Sequence, residues 1–165
     1  MVAFNEETLK EVEALFQRYP RKVNALLPVL HLVQRENDGW IPPGWDAYVA
    51  DLCETTLNQV RGVITFYNMY HQQPVGKFHL MICTCLPCGL CEGKELLEHV
   101  ADKVGVHPGQ TSSDGVFSLE EVQCLAACDQ APLIKINEDL HGPVSFEQVD
   151  QMLDELHVKQ RSKAG

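Results

Sequence analysis

Six of the seven cysteines lie between Cys83 and Cys128. They form one pair, Cys83-x4-Cys88, then 35 residues, then a second pair, Cys124-x3-Cys128, with Cys85 and Cys91 close to the first pair. A [2Fe–2S] cluster takes four thiolates, two per iron, because the bridging sulfides complete each tetrahedron. A close pair on each of two segments supplies that set. Residues five apart on a helix point about 140° away from each other, so Cys83 and Cys88 are better served by a loop after a strand, and Pro87 and Gly89 agree with a loop. A cluster on thiolates is a net anion, so it needs hydrogen-bond donors and low solvent access. The backbone N–H groups of both loops, at Thr84, Leu125 and Ala127 among others, are the natural donors.

The same residues admit other chemistry. Cys85-Leu86-Pro87-Cys88 is a C-x-x-C sequence after a strand pattern and before a helical one, where a redox dithiol would sit. Cys85, Cys88 and Cys91 imitate the first three ligands of a [4Fe–4S] run, but Glu95 stands where the fourth belongs. A four-cysteine zinc site would use the same two pairs, and buried inert thiols are the plainest alternative. Spacing favours the [2Fe–2S] reading and leaves the others open. The seven histidines show no ligand spacing and are expected at the surface or its boundary, and Cys53 reads as a small buried hydrophobe. No G-x-G-x-x-G or Walker sequence is present, so no nucleotide loop and no catalytic residue are assigned.

A formal charge of −10, with basic residues scattered apart from the tail Lys159 to Lys163, argues against nucleic acid. No apolar run approaches the roughly 20 residues of a membrane span; the longest, Ala25 to Val33, is interrupted by Pro28 and His31. The first ten residues carry acids and no apolar core of a secretory signal, and the cysteine usage suits a reducing compartment, so a bacterial-type cytoplasm is expected. The sequence alone shows no obvious exposed apolar patch.

These residues must be carried by elements that the periodicity outlines. Leu9, Val12, Leu15, Phe16 and Tyr19 form a helical stripe ended by Pro20; Leu26, Leu27, Leu30 and Val33 form a second, closed by Asp38-Gly39. Tyr48, Leu52 and Cys53 suggest a third helix. Thr55-Thr56 would cap a fourth from Leu57, ended by Gly62. The texture changes near Pro74-Val75-Gly76. Phe78 to Cys83 predicts a buried strand, Glu95 to Val104 a helix, and Leu133 to Ile136 a strand. Val116 to Val122 suits a strand, although Ser118 to Glu121 also resembles a helix start. Ser145 and Gln148 form a capping box for a closing helix through Val149, Met152, Leu153 and Leu156. The expected class is α/β (α+β), with helices followed by β-α-β-β-α.

From about Tyr19 to Leu156 the chain resembles the thioredoxin-like [2Fe–2S] subunit family of respiratory NADH dehydrogenase (complex I), called NuoE in bacteria. Tyr19-Pro20 with Ala25-Leu26-Leu27-Pro28-Val29-Leu30, Gly39-Trp40-Ile41-Pro42, and Val60-Arg61-Gly62-Val63-Ile64-Thr65-Phe66-Tyr67 carry it through the first half. Pro74-Val75-Gly76-Lys77, Asp114-Gly115 and Val122-Gln123-Cys124-Leu125-Ala126-Ala127-Cys128, then Ala131-Pro132, carry it through the second. The resemblance implies an N-terminal helical bundle over 1–74 and a thioredoxin-like cluster domain over 75–165. It assigns one [2Fe–2S] cluster to Cys83, Cys88, Cys124 and Cys128. It implies a flavin-binding, NuoF-like partner that holds FMN and oxidises NADH, other subunits of that module, and a place on the cytoplasmic side of the inner membrane. It implies no catalysis by the isolated chain. The same module resembles subunits of NAD-reducing hydrogenases and NAD-linked formate dehydrogenases. Two departures stand out: Ala126 where the family usually has Gly, and the extra thiols Cys85 and Cys91.

Overall fold

The computed structural model describes residues 2–163, and side chains through Gln160. The chain divides between Pro74 and Val75 into two compact units.

The first unit is helical. Helix α1 (Glu6–Arg18) begins where the Asn5 side chain accepts the Thr8 N–H at 2.9 Å, with Glu6 and Glu7 at the positive end of the helix dipole. Helices α2 (Leu26–Glu36), α3 (Trp45–Leu52) and α4 (Leu57–Phe66) follow. Val12, Leu26, Val29, Leu30, Val33, Val49, Val60 and Ile64 form their common core. Cys53 lies in it fully buried, and burial pushes its thiol up to about 11. Thr56 caps α4 by accepting the Gln59 N–H at 3.2 Å. Gly62 does not end that helix, which runs on to Phe66. An interior glycine costs about 1 kcal/mol relative to alanine, and burial of Val60 and Ile64 on either side of it outweighs that.

The second unit is built on a five-stranded sheet in the order β2-β3-β1-β4-β5. The strands are β1 (Phe78–Cys83), β2 (Gln110–Thr111), β3 (Phe117–Val122), β4 (Ile134–Ile136) and β5 (Asp139–His141). Central β1 runs parallel to β3 and antiparallel to β4. Helices α5 (Leu86–Leu90) and α6 (Gly93–Val104) connect the two parallel strands, and α7 (Phe146–Lys163) closes the chain. Leu80 and Ile82 share a core with Leu96, Val100, Val149 and Leu153. Pleating turns alternate residues to opposite faces, so Met81 and Cys83 join a separate cluster with Cys88, Val122 and Leu133.

Ser118 to Glu121 is strand, not helix. Residue-by-residue pairing from Phe78↔Phe117 to Cys83↔Val122 uses its backbone groups, and Phe117 and Leu119 are buried. Strands β2 and β5 are two and three residues long, and pairing along β3 and β4 defines them rather than any apolar alternation of their own. The capping box forms as expected: the Ser145 N–H donates to Gln148 Oε1 at 2.8 Å and the Gln148 N–H to Ser145 Oγ at 3.3 Å. His79 departs from expectation. It is buried, with Nδ1 2.9 Å from Ser118 Oγ and Nε2 2.9 Å from Glu120 Oε2. Ser118, in register across the strand pair, and Glu120, two residues further along β3, satisfy both ring nitrogens, so burial leaves no orphaned polar atom.

Candidate metal centre

Parallel pairing brings the two distant cysteine pairs together. Strands β1 and β3 run side by side and in register, so they end at the same level, at Cys83 and Val122. The ladder extends one step further, since the Thr84 N–H donates to the Val122 carbonyl at 3.1 Å. Both cysteine loops therefore leave the same end of the sheet. The carboxyl ends of adjacent parallel strands are where α/β folds place their ligands, because loops diverge there around a crevice.

The first loop is built into regular structure. Cys83 is the last residue of β1, and its N–H donates to the Leu133 carbonyl at 3.2 Å. Cys85 caps α5, its carbonyl accepting the Gly89 N–H at 2.7 Å. Cys88 lies inside this one-turn helix, which corrects the expectation of a loop. Pro87 is compatible with the turn because the first helical residues have no intrahelical N–H bond to lose. Cys83 and Cys88 are both buried. Gly93, at the start of α6, presses on the backbone beneath them. A Cβ there would come within 2.7 Å of the Cys88 carbonyl oxygen and 2.8 Å of that of Cys83.

The second loop is irregular and open. Cys124 and Cys128 are exposed. Ala126 sits at φ +61°, in the left-handed region that glycine enters without strain. This conformation aims the Ala126 N–H at the Cys124 sulfur, 3.3 Å away. Cys128 starts a single 3-10 turn that ends at Gln130.

Within each loop the thiols act on one another as a pair: Cys83 raises the Cys88 thiol and Cys124 raises that of Cys128. Burial pushes the Cys88 thiol up to about 12, the neighbouring Cys83 adds to the shift, and the Leu133 backbone N–H opposes it. The Cys128 thiol is also raised, by desolvation first and then by the facing charges of Cys124, Cys85 and Cys83.

The donor set fits a cluster of iron and sulfide. All four candidate ligands are soft sulfur donors, arranged two and two. A tetrahedral zinc site would hold all four sulfurs within about 3.8 Å of one another, given a zinc–sulfur bond of about 2.3 Å. Among the described residues no three of these sulfurs lie within 4.8 Å of one another.

Two features escape a reading of the sequence. The backbone donors directed at sulfur come from Ala126 and Leu133, whereas the Thr84 N–H is spent on the strand ladder. Leu86 and Leu90, one turn apart on α5, are 74% and 79% exposed. Their i,i+4 spacing is the available signal, but it marks an outward face only once Cys88 is known to point inward.

Known proteins bear on this geometry. Residues 12–157 match the model of the thioredoxin-like [2Fe–2S] ferredoxin family. The E subunit of NADH-quinone oxidoreductase from Rickettsia bellii is 35% identical over 156 residues, with 93% of each chain covered. The second E subunit of the same enzyme from Rhizobium meliloti is 34% identical, covering 92% of this chain and 90% of its own. In fold, the chain is similar to part of an NAD+-reducing [NiFe]-hydrogenase in its H2-reduced state. There the TM-score is 0.70 at 18% identity, with 84% of this chain and 23% of that polypeptide covered. With the matched span running from α1 to α7 and across both cysteine pairs, the chain belongs to the thioredoxin-like [2Fe–2S] ferredoxin family.

Proposed function

We propose that this chain is the electron-transfer subunit of an NADH:quinone oxidoreductase, with one [2Fe–2S] cluster held by Cys83, Cys88, Cys124 and Cys128. The observation that carries the reading is the convergence of two thiol pairs at the ends of two parallel strands. The cluster, when bound, supplies one-electron carriage; the chain's own residues set its surroundings. Cys83 and Cys88 lie in an apolar cluster with Val122 and Leu133, which keeps water from that side. The N–H groups of Ala126 and Leu133 meet negative charge on sulfur without adding a titratable group.

In this reading residues 75–165 are the cluster domain and 1–74 a helical region. A flavin-binding, NuoF-like subunit carries FMN and the NADH site, and the assembly lies peripherally on the cytoplasmic side of the inner membrane. No helix among the described residues is long and apolar enough to cross a membrane. Leu86 and Leu90 support a partner on the cluster side, since adjacent exposed leucines are an unusual cost for a surface left open to water. Relatives above 30% identity that are named as the E subunit of the quinone-linked enzyme favour that complex over a hydrogenase, for which only the fold is shared.

The test is purification from the native host under gentle conditions. Expected are iron and acid-labile sulfide in equal amounts, a reduced-state paramagnetic resonance signal, and a co-purifying flavoprotein. A chain that holds zinc and no sulfide, or that alone oxidises NADH with ferricyanide, overturns the reading.

A further inference from the structure

A groove of about 710 Å³ opens beside the cysteine loops. Leu90, Cys91 and Glu92 line it at the junction of α5 and α6, Pro132 lines it after the second loop, and Phe146 and Glu147 line it at the start of α7. Its chemistry is one-sided. Leu90, Pro132 and Phe146 give it an apolar surface, and its charged lining residues among those described are Glu92 and Glu147, both exposed and both acidic. The α7 wall is already fixed: the Phe146 ring stacks on His99 with centroids 5.1 Å apart and planes 17° apart, and the Ser145–Gln148 capping box holds the helix start. Leu90 belongs both to this groove and to the outward face of α5, where Leu86 and Leu90 are 74% and 79% exposed. The groove therefore continues the exposed face of the helix that carries Cys88.

We propose that the groove receives a segment of the flavin-binding subunit in which a lysine or arginine stands beside an apolar side chain. The cation meets Glu92 and Glu147, and the apolar group packs on Leu90, Pro132 and Phe146. The inference rests on the electron-transfer reading of the cluster: a donor of electrons docks close to the cluster, and Leu90 carries that contact from α5 into the groove. Charge selects this occupant over a second copy of the chain. A two-fold contact through the groove would set the same acidic patch against itself, between chains that each carry a formal charge of −10, and facing like charges oppose association. A basic side chain offsets the acidic rim and lays its own apolar stem along the groove.

The test uses the complex purified from the native host through a tag on this chain. Flavin retained per chain, and the Kd for the flavoprotein after dissociation and recombination, are read over a range of salt, with iron and sulfide measured alongside. Glu92→Gln/Glu147→Gln should weaken binding about tenfold at low salt and flatten its salt dependence, since two exposed ion pairs are lost. Leu90→Ser should also weaken it about tenfold but leave the salt dependence as it is, since only apolar contact is removed. A second measurement needs no variant. Cys91 is exposed on the groove, so N-ethylmaleimide should label it in the freed chain and about tenfold more slowly in the intact complex. Equal labelling in the two states overturns the proposal, as does a double variant with wild-type affinity and salt dependence. Protection of Cys91 in a fraction without flavoprotein overturns it too, and marks a second copy as the occupant. A wild-type chain that recovers no flavoprotein sinks the electron-transfer reading and this inference with it; a flavoprotein complex with Cys91 open and the variants unaffected sinks this inference alone.

Discussion

The two cysteine loops carry the same number of proposed ligands and are built in opposite ways. The first grows out of a central strand, turns through a one-turn helix and is backed by the close approach of Gly93. Its two proposed ligands, Cys83 and Cys88, are buried. The second has one 3-10 turn, one left-handed alanine and two exposed thiols. The first loop is thus part of the fold, and the second is the part that metal would complete. Four thiolates confined together repel one another, so a site with both halves rigid and buried would oppose its own formation without metal. Leaving one half open to water relieves that cost.

The largest test of this contrast is substitution of a ligand in each half. Cys88→Ser should empty the site and also lower the stability of the iron-free chain by about 1–3 kcal/mol, because a hydroxyl replaces sulfur in a dry pocket. Cys128→Ser should leave the stability of the iron-free chain at the wild-type value, as substitutions at exposed positions commonly do. Denaturant unfolding of both iron-free variants reads the difference, and equal losses would erase the distinction between the loops.

Gly93→Ala should come next, at about 1–3 kcal/mol, since its Cβ meets unyielding backbone of the first loop rather than a mobile side chain. A thermal melt unchanged from wild type would show that the first loop is not held from below.

The pH dependence of the iron-free chain sharpens the same point. Cys88 is pushed up from 9.0 to about 12 in the folded chain. Above pH 9 the unfolded thiol releases its proton while the folded one keeps it, so the unfolded state gains. The contribution of Cys88 to stability is present in full below pH 9 and falls as pH rises from there toward 12. Cys88→Ala should flatten the decline of the denaturant midpoint over that range.

Hydrogen exchange should then show residues 124–130 slowing on iron–sulfide loading by a larger factor than residues 83–90. The smallest expected effect is Ala126→Gly, a gain of about 0.5–1 kcal/mol from relief of the left-handed backbone. A loss of stability there would mean that the alanine side chain supports the loop in some other way.

Much of the fold is legible in the sequence. The Phe78–Cys83 strand, the Ser145–Gln148 capping box, the Thr56 cap and the burial of Cys53 follow from local patterns whose physics lies within a few residues. Gly62 misleads because local propensity stops a helix there while the burial of Val60 and Ile64 carries it through. Ser118 to Glu121 is ambiguous because its own residues suit two states, and parallel pairing with β1 chooses between them.

By itself the sequence determined the chemistry on offer: soft sulfur donors, two close pairs far apart, no nucleotide loop, and a helical half before an α/β half. Donor type and local periodicity are properties of residues and short segments, so they survive without coordinates. Only the tertiary structure decided how those donors are used. Register between β1 and β3 brings the pairs to one end of the sheet, and the Ala126 and Leu133 N–H groups are aimed at sulfur. The same packing turns Cys85 toward the site while Cys91 opens onto a groove. Those outcomes depend on pairings between segments distant in the chain, and a sequence lists such segments without stating which of them meet.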